Sequence, residues 1–274
     1  MNAPQAVAAD APRARVAPWV QALWAVCAFV SSLCGIGGGL FAVPLLHYVG
    51  RLPLKRAVAS SLCLVFTLSL TATGVELLHA RSALRAGVVA ALIAGGYLGA
   101  RAGLRVAERI DVRRLKAAFV VVLSFAAVRI LGLHSFVGAG GGGVELTPAT
   151  TAIVLAVGFG GGFIAPILGV GGGLLVIPAL FLSLPTISYL EARACSMAMT
   201  IFVSAQSVQA YWRRGEIDLA RVGGLVAATV VGALAGVWAV HREGWVDGAR
   251  IAMGVVLVAV ALRFASDVLR GRRA

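Results

Sequence analysis

Two stretches of this chain, Gly35-Ile36-Gly37-Gly38-Gly39-Leu40-Phe41-Ala42-Val43-Pro44 and Gly169-Val170-Gly171-Gly172-Gly173-Leu174-Leu175-Val176-Ile177-Pro178, share three adjacent glycines and a proline at an offset of 134 positions. Both lie inside long apolar runs. There each glycine costs a helix about 1 kcal/mol against alanine, and lipid offers the freed backbone groups no water. The chain must therefore be a duplicated unit whose apolar helices break at matching places, the pattern expected where a transporter builds its binding site.

Composition makes the surroundings of these breaks lipid. With 60% hydrophobic residues, 13% charged residues and a mean hydropathy of +0.94, the chain carries more apolar surface than one soluble core needs. Apolar stretches run at about 18–34, 39–50, 57–79, 84–100, 115–135, 150–168, 172–184, 190–212, 219–241 and 249–262. Six have the length of full spans, and the four around the glycine breaks read as shorter pieces. The net charge of +13 does not mark a nucleic-acid partner, because the 24 basic residues gather at the ends of apolar segments, where they orient and anchor. Cys27, Cys34, Cys63 and Cys195 show no CxxC spacing and no histidine in a ligand pattern, so neither a disulfide nor a metal site is expected.

The repeat extends past the glycines. Ala57-Val58-Ala59-Ser60-Ser61-Leu62 matches Ala192-Arg193-Ala194-Cys195-Ser196-Met197, and Ala127-Val128-Arg129 matches Ala261-Leu262-Arg263. The domain reading is a cytoplasmic tail at 1–17, without a convincing cleavage site, a first membrane repeat at 18–135 and a glycine-rich extracytoplasmic linker at 136–149. A second repeat at 150–268 and a cytoplasmic tail at 269–274 complete it.

Charge decides how the halves are oriented. If residues 18–50 and 150–184 each enter the membrane and return, one side collects Arg13, Arg15, Arg51, Lys55, Arg56, the six basic residues from Arg101 to Lys116, Arg213, Arg214, Arg221, Arg263, Arg270, Arg272 and Arg273. That is 18 basic residues against 5, whereas a uniform four-span reading of each half gives 11 against 12. The positive-inside rule selects the first. The expected fold is an all-α integral membrane protein of two inverted repeats, each a re-entrant helix pair followed by three full transmembrane helices, with both termini in the cytoplasm of a bacterial inner membrane. Helices starting after Gly39 and Gly173 then aim their N-termini toward mid-membrane from opposite sides, an arrangement that suits an anion.

These residues resemble the sulfite exporter TauE/SafE family of bacterial membrane permeases. That family shows a GxGGG-type motif with a following proline near the start of each half, and a small-residue segment ending in Ser-Leu or a close variant. Gly35 to Pro44, Gly169 to Pro178, Ala59-Ser60-Ser61-Leu62 and Ala194-Cys195-Ser196-Met197 stand at those places, and the likeness covers about residues 20 to 268. Where the family often has Gly-Thr-Ser, this chain has Ala59-Ser60-Ser61 and Ala194-Cys195-Ser196, so the first hydroxyl is lost in the second half. The resemblance implies transport, commonly outward, of a small sulfur-containing anion such as sulfite, sulfoacetate or a related sulfonate.

The substrate-binding candidates are Gly37, Gly38, Gly39, Gly171, Gly172 and Gly173 through their main-chain N–H groups, against simple close packing of helices. Ser61 and Ser196 can donate hydroxyls to an oxyanion or bond their own helix carbonyls. Arg129 and Arg263 fall inside apolar runs, where a charge costs at least about 2.5 to 3.5 kcal/mol, unless they snorkel to a headgroup. The gating or coupling candidates are Glu76, Arg193, Gln206 and Gln209. Glu76 with His79 can relay a proton or be solvated at the interface, and Arg193 can serve an anion at the outer mouth or anchor there. Gln206 and Gln209, three apart on one helical face, can line a polar path or bond a neighbouring helix. Tyr211-Trp212 reads as an aromatic belt.

Acidic residues are too scarce inside the spans for a multi-carboxylate cation site, and no His-Asp, Cys-His or HExxH constellation appears there. The expectation is a secondary transporter without a cofactor, not an enzyme. Its expected partners are a small anion and the lipid bilayer, with a homodimer left open. Proton-coupled uptake of a small organic or sulfur anion is the second reading, and a membrane enzyme the third.

Overall fold

The protein is described from a computed structural model over residues 16–78, 83–107, 120, 124, 147–184, 186–242 and 244–269. Nine α-helices lie within the described residues: α1 Pro18–Cys34, α2 Gly39–Pro44, α3 Leu54–Leu78, α4 Ala86–Val106, α5 Pro148–Leu168, α6 Gly173–Ser183, α7 Tyr189–Arg213, α8 Leu219–Val240 and α9 Trp245–Leu269. There is no strand among them. The protein is an all-α membrane protein, with five helices long and apolar enough to cross a bilayer: α3, α4, α5, α8 and residues Trp245–Arg263 of α9.

Local chemistry sets the boundaries. Pro18 and Pro148 open α1 and α5, where a missing N–H costs nothing. Ser188 and Glu191 form a reciprocal capping box at the start of α7. α1 and α5 both end on a glycine in the left-handed region, Gly35 at φ 76° and Gly169 at φ 69°, each returning its N–H to the carbonyl four residues back. Pro44 removes one donor from the ladder of α2, and the chain continues as a π-helical turn over Leu45–Val49.

Two departures from the sequence reading stand out. The stretch expected as a short piece at 150–168 is a 21-residue helix, extended by the Thr147 cap. The stretch at 190–212 is a 25-residue helix, α7, yet it is not among the five apolar ones, because its inward face carries Arg193, Ser196, Thr200, Ser204 and Ser207, all buried.

Small residues bring the helices together. A Cβ on Gly95, Gly99 or Gly103 of α4 would meet the carbonyls of Leu155, Phe159 and Phe163 of α5, and Gly162 of α5 answers against the backbone of Gly96. On the other flank Gly232 and Gly236 of α8 touch the backbone of Ala25 and Phe29 of α1, and Trp24 donates its indole N–H to Thr229 Oγ1 at 2.7 Å. Between these seams α3 and α7 run antiparallel: Lys55 meets Glu216 at one end, and Glu76 meets Arg193 at the other.

Candidate functional site

The two glycine turns lie against each other at the middle of the α3/α7 pair. A Cβ on Gly39 would strike the carbonyl oxygen of Gly169 and the backbone of Val170; a Cβ on Gly173 would strike the carbonyl oxygen of Gly35 and the backbone of Ile36. The contact is reciprocal. The same two side chains, Val65 of α3 and Thr200 of α7, flank both Gly37 and Gly171. Only glycine allows backbone to approach backbone in this way, and Gly37, Gly38 and Gly171 also hold positive φ.

All six candidate glycines are buried. Among the described residues, no backbone carbonyl accepts from the amides of Gly37, Gly38 and Gly39, nor from those of Gly171, Gly172 and Gly173. Free amides at the starts of two helices, held in a buried crossing, form a donor-rich place without a carboxylate among the described contacts.

Ser61 and Ser196 take up both of the roles open to them. The Ser61 hydroxyl lies 2.8 Å from Val58 O and 2.9 Å from Gly169 O, so it is spent on carbonyls, one of them in the opposite turn. Ser196 is fully buried, its Oγ is 3.1 Å from the Cβ position of Gly173, and it has no partner. It is the free hydroxyl of the pair.

Toward one end of the crossing, Arg193 occupies the space beside Gly35, with its Cγ 2.6 Å from the Cβ position of that glycine. It is 1% exposed. Its Nη2 pairs with Glu76 Oε2 at 2.5 Å and its Nη1 donates to Ser32 O at 3.1 Å. Glu76, 2% exposed, also meets His241 Nε2 at 3.0 Å and accepts from the Ala83 amide at 3.1 Å. Neither residue is solvated or an interfacial anchor, as the sequence allowed; each is buried and is the other's countercharge, which offsets part of its desolvation cost. His241, which follows α8 and completes the cluster, has no signal in the sequence beyond being a histidine at the end of a span. His79 lies outside the described residues.

At the other end, Tyr211 is buried, and its hydroxyl donates to Pro166 O at 2.8 Å. This corrects the belt assignment for Tyr211, while Trp212 is 55% exposed, as a belt residue is. Asp218 N bonds Ser60 Oγ at 2.9 Å nearby.

The remaining candidates stand apart. Arg263 is exposed, with its guanidinium 6.0 Å from the centre of the Tyr48 ring. Arg129 and the linker at Gly138 to Gly143 lie outside the described residues. Gln206 is half-buried with Oε1 unpartnered, and Gln209 is exposed, so the two do not form one lining. The four cysteines are free, and the described residues contain no group of three metal-ligating side chains.

The family model described as "Sulfite exporter TauE/SafE" matches residues 2–130 and 154–274. Two relatives carry the name "Probable membrane transporter protein MamO". The protein from Paramagnetospirillum magneticum is 37% identical over 107 residues, and that from Magnetospirillum gryphiswaldense 36% identical over 107 residues. In both cases the match covers 37% of this chain and 17% of the relative, so this chain spans a small part of their length. No solved structure matches the chain.

Proposed function

We propose, because this chain belongs to the sulfite exporter TauE/SafE family of membrane transport proteins, that it exports a small sulfur-containing oxyanion, such as sulfite, sulfoacetate or a related sulfonate, by alternating access. The reciprocal crossing of the two glycine turns carries the reading: six buried glycines offer amides without backbone acceptors, and Ser196 adds a free hydroxyl. Such donors replace an anion's hydration shell without a countercharge at the site. The halves are read as inverted repeats with both termini cytoplasmic, so that rocking one half against the other exposes the crossing to each side in turn. A potential negative inside favours exit of an anion by about 2.3 kcal/mol per charge at 100 mV, so export needs no coupling ion.

A second reading, proton-coupled uptake of a similar anion, is favoured by one observation, the buried Glu76–His241 contact. Both readings face the same test. Purified protein in proteoliposomes is assayed for flux of sulfite, sulfoacetate and sulfate under an imposed potential, with Gly38→Leu plus Gly172→Leu as control. Saturable, potential-driven flux of a sulfur anion that the control abolishes is the expected result. Absence of any such flux from folded protein overturns the substrate class, and flux that follows a pH gradient with no response to potential favours the second reading.

A further inference from the structure

The Arg193 end of the crossing holds more hydrogen-bonding capacity than it uses. Arginine has five N–H donors in a planar fork. Two nitrogens of Arg193 are engaged, and Nε, buried with the rest of the side chain, meets no acceptor. On α3, Thr73 and Ser69 precede Glu76 by about one and two turns, leading back toward Val65 at the crossing. Both hydroxyls are buried and unpartnered. Ser31 is a third such hydroxyl, with its Oγ 3.7 Å from the Cβ position of Gly38. Buried donors almost always find acceptors, and the described residues supply none for these four.

The repeat shows that packing beside the glycine does not itself require a charge. Val58 fills beside Gly169 the place that Arg193 fills beside Gly35, and Val43 and Ile177 are likewise equivalent. Packing at such a place is satisfied by valine. Arginine brings a cation, and that cation needs Glu76 to remain buried.

We propose that Arg193 is a second anion-binding station next to the glycine crossing, at which Glu76 stands in for the transported oxyanion until a proton taken up by Glu76 frees the guanidinium. This rests on the reading of the chain as an anion permease. An oxyanion with two free oxygens can span Nε and one terminal nitrogen, as carboxylates and phosphates do on arginine. Exchange without a proton leaves a charged Glu76 buried, with His241 and the Ala83 amide as its remaining partners among the described residues, which is strongly unfavourable. One proton added to the Glu76 carboxylate leaves the cluster's net charge unchanged when a monoanion arrives at Arg193, and limits the change to one negative charge when a dianion such as sulfate does. Among the described residues, the other titratable groups around the pair are Tyr189, whose hydroxyl bonds Leu33 O and Ala249 O, Cys34 at the end of α1, and Cys195 on α7. Glu191, two residues before Arg193 on α7, pairs with Arg85, and Arg242 stacks on Trp238. Protonation and anion binding then favour each other, so anion affinity rises as pH falls.

Sulfate is the probe, since it does not titrate near neutral pH. Its binding to purified protein in detergent is measured by calorimetry at pH 8, 7 and 6, for wild type, Glu76→Gln and the double variant Glu76→Gln/Arg193→Gln, each checked for monodispersity. The wild-type affinity should rise with acidity, by up to about tenfold per pH unit for one linked proton. Glu76→Gln should bind with little pH dependence and at least as tightly as wild type at pH 6, and the double variant, which keeps the pair neutral, should lose this binding by tenfold or more. A pH-independent wild type, a Glu76→Gln variant that keeps the wild-type slope, equal binding by the double variant, or no binding by any form overturns the proposal. If wild type transports a sulfur anion in vesicles while sulfate binding ignores pH, only this inference falls. If no sulfur anion is transported but pH-linked binding at Arg193 persists, the permease reading falls instead.

Discussion

At one end of the crossing Gly35 rests on Arg193 and Ile177; at the other Gly169 rests on Val58 and Val43. The first end is closed between α3 and α7 by a buried ion pair and a histidine; at the second, Tyr211 of α7 donates its hydroxyl to the Pro166 carbonyl of α5, and the ion pair between α3 and the segment after α7, Lys55–Glu216, has its lysine exposed. Glu76 and Tyr211 hold matching places, 135 positions apart, as do Ser32 and Pro166 at 134, whose carbonyls accept from Arg193 and Tyr211 respectively. The two ends therefore use matching positions, and their buried side chains make one closure electrostatic and the other a neutral hydrogen bond. The strength of the two closures can differ widely while the crossing between them stays the same.

The largest effects on transport should fall on the part that is shared. Gly39→Ala and Gly173→Ala each push a methyl into the backbone of the opposite turn, which has no side-chain freedom with which to yield. Each should destabilise the protein by about 3 kcal/mol, the upper range for an added core methyl, and abolish flux. Thermal unfolding in detergent, paired with the proteoliposome assay, checks this. A mild effect of either one alone would show that the two turns are not equivalent.

At the charged end the effect falls on stability, where it should equal or exceed that of the glycine substitutions. Arg193→Gln leaves the Glu76 carboxylate buried without its cation and should cost about 3 to 5 kcal/mol. Adding Glu76→Gln should recover most of that loss, since amides can hydrogen-bond without a charge to solvate. At the neutral end Tyr211→Phe removes one hydrogen bond and should cost about 1 kcal/mol. Denaturation midpoints of the four proteins give the comparison directly; similar costs at the two ends would dissolve the distinction between them.

How far the sequence foretold this arrangement varies with the kind of contact involved. The glycine breaks, the helix starts at Gly39 and Gly173, and the ends of α1, α7 and α8 were legible to within a residue or two, because backbone effects of glycine, proline and hydropathy are local. The pairing of Glu76 with Arg193 was not, since 117 residues separate them and each alone reads as an interfacial charge. Tyr211 was misread for the same reason: an aromatic followed by tryptophan at a span end resembles a belt, and only the approach of α5 shows that its hydroxyl is used. The seam of Gly95, Gly99 and Gly103 was not read from the sequence, because a four-residue glycine spacing gains meaning only once α5 lies against it.

The smallest expected difference separates the two serines, and it tests the crossing itself. Ser61 spends its hydroxyl on Val58 O and Gly169 O, so Ser61→Ala leaves the Gly169 carbonyl short of a donor and should lower stability by about 1 kcal/mol. Ser196 has no protein partner, so Ser196→Ala removes no bond within the chain and should leave stability within about 0.5 kcal/mol of wild type. If its hydroxyl faces a bound anion, the cost appears in transport instead, as an increase in KM of about tenfold, the value of one hydrogen bond to a charged group. Measuring unfolding and the concentration dependence of flux on the same two variants therefore separates a serine that holds the turn from one that meets the substrate. The opposite result, stability lost at Ser196 and affinity lost at Ser61, would place the free hydroxyl on the other side of the crossing.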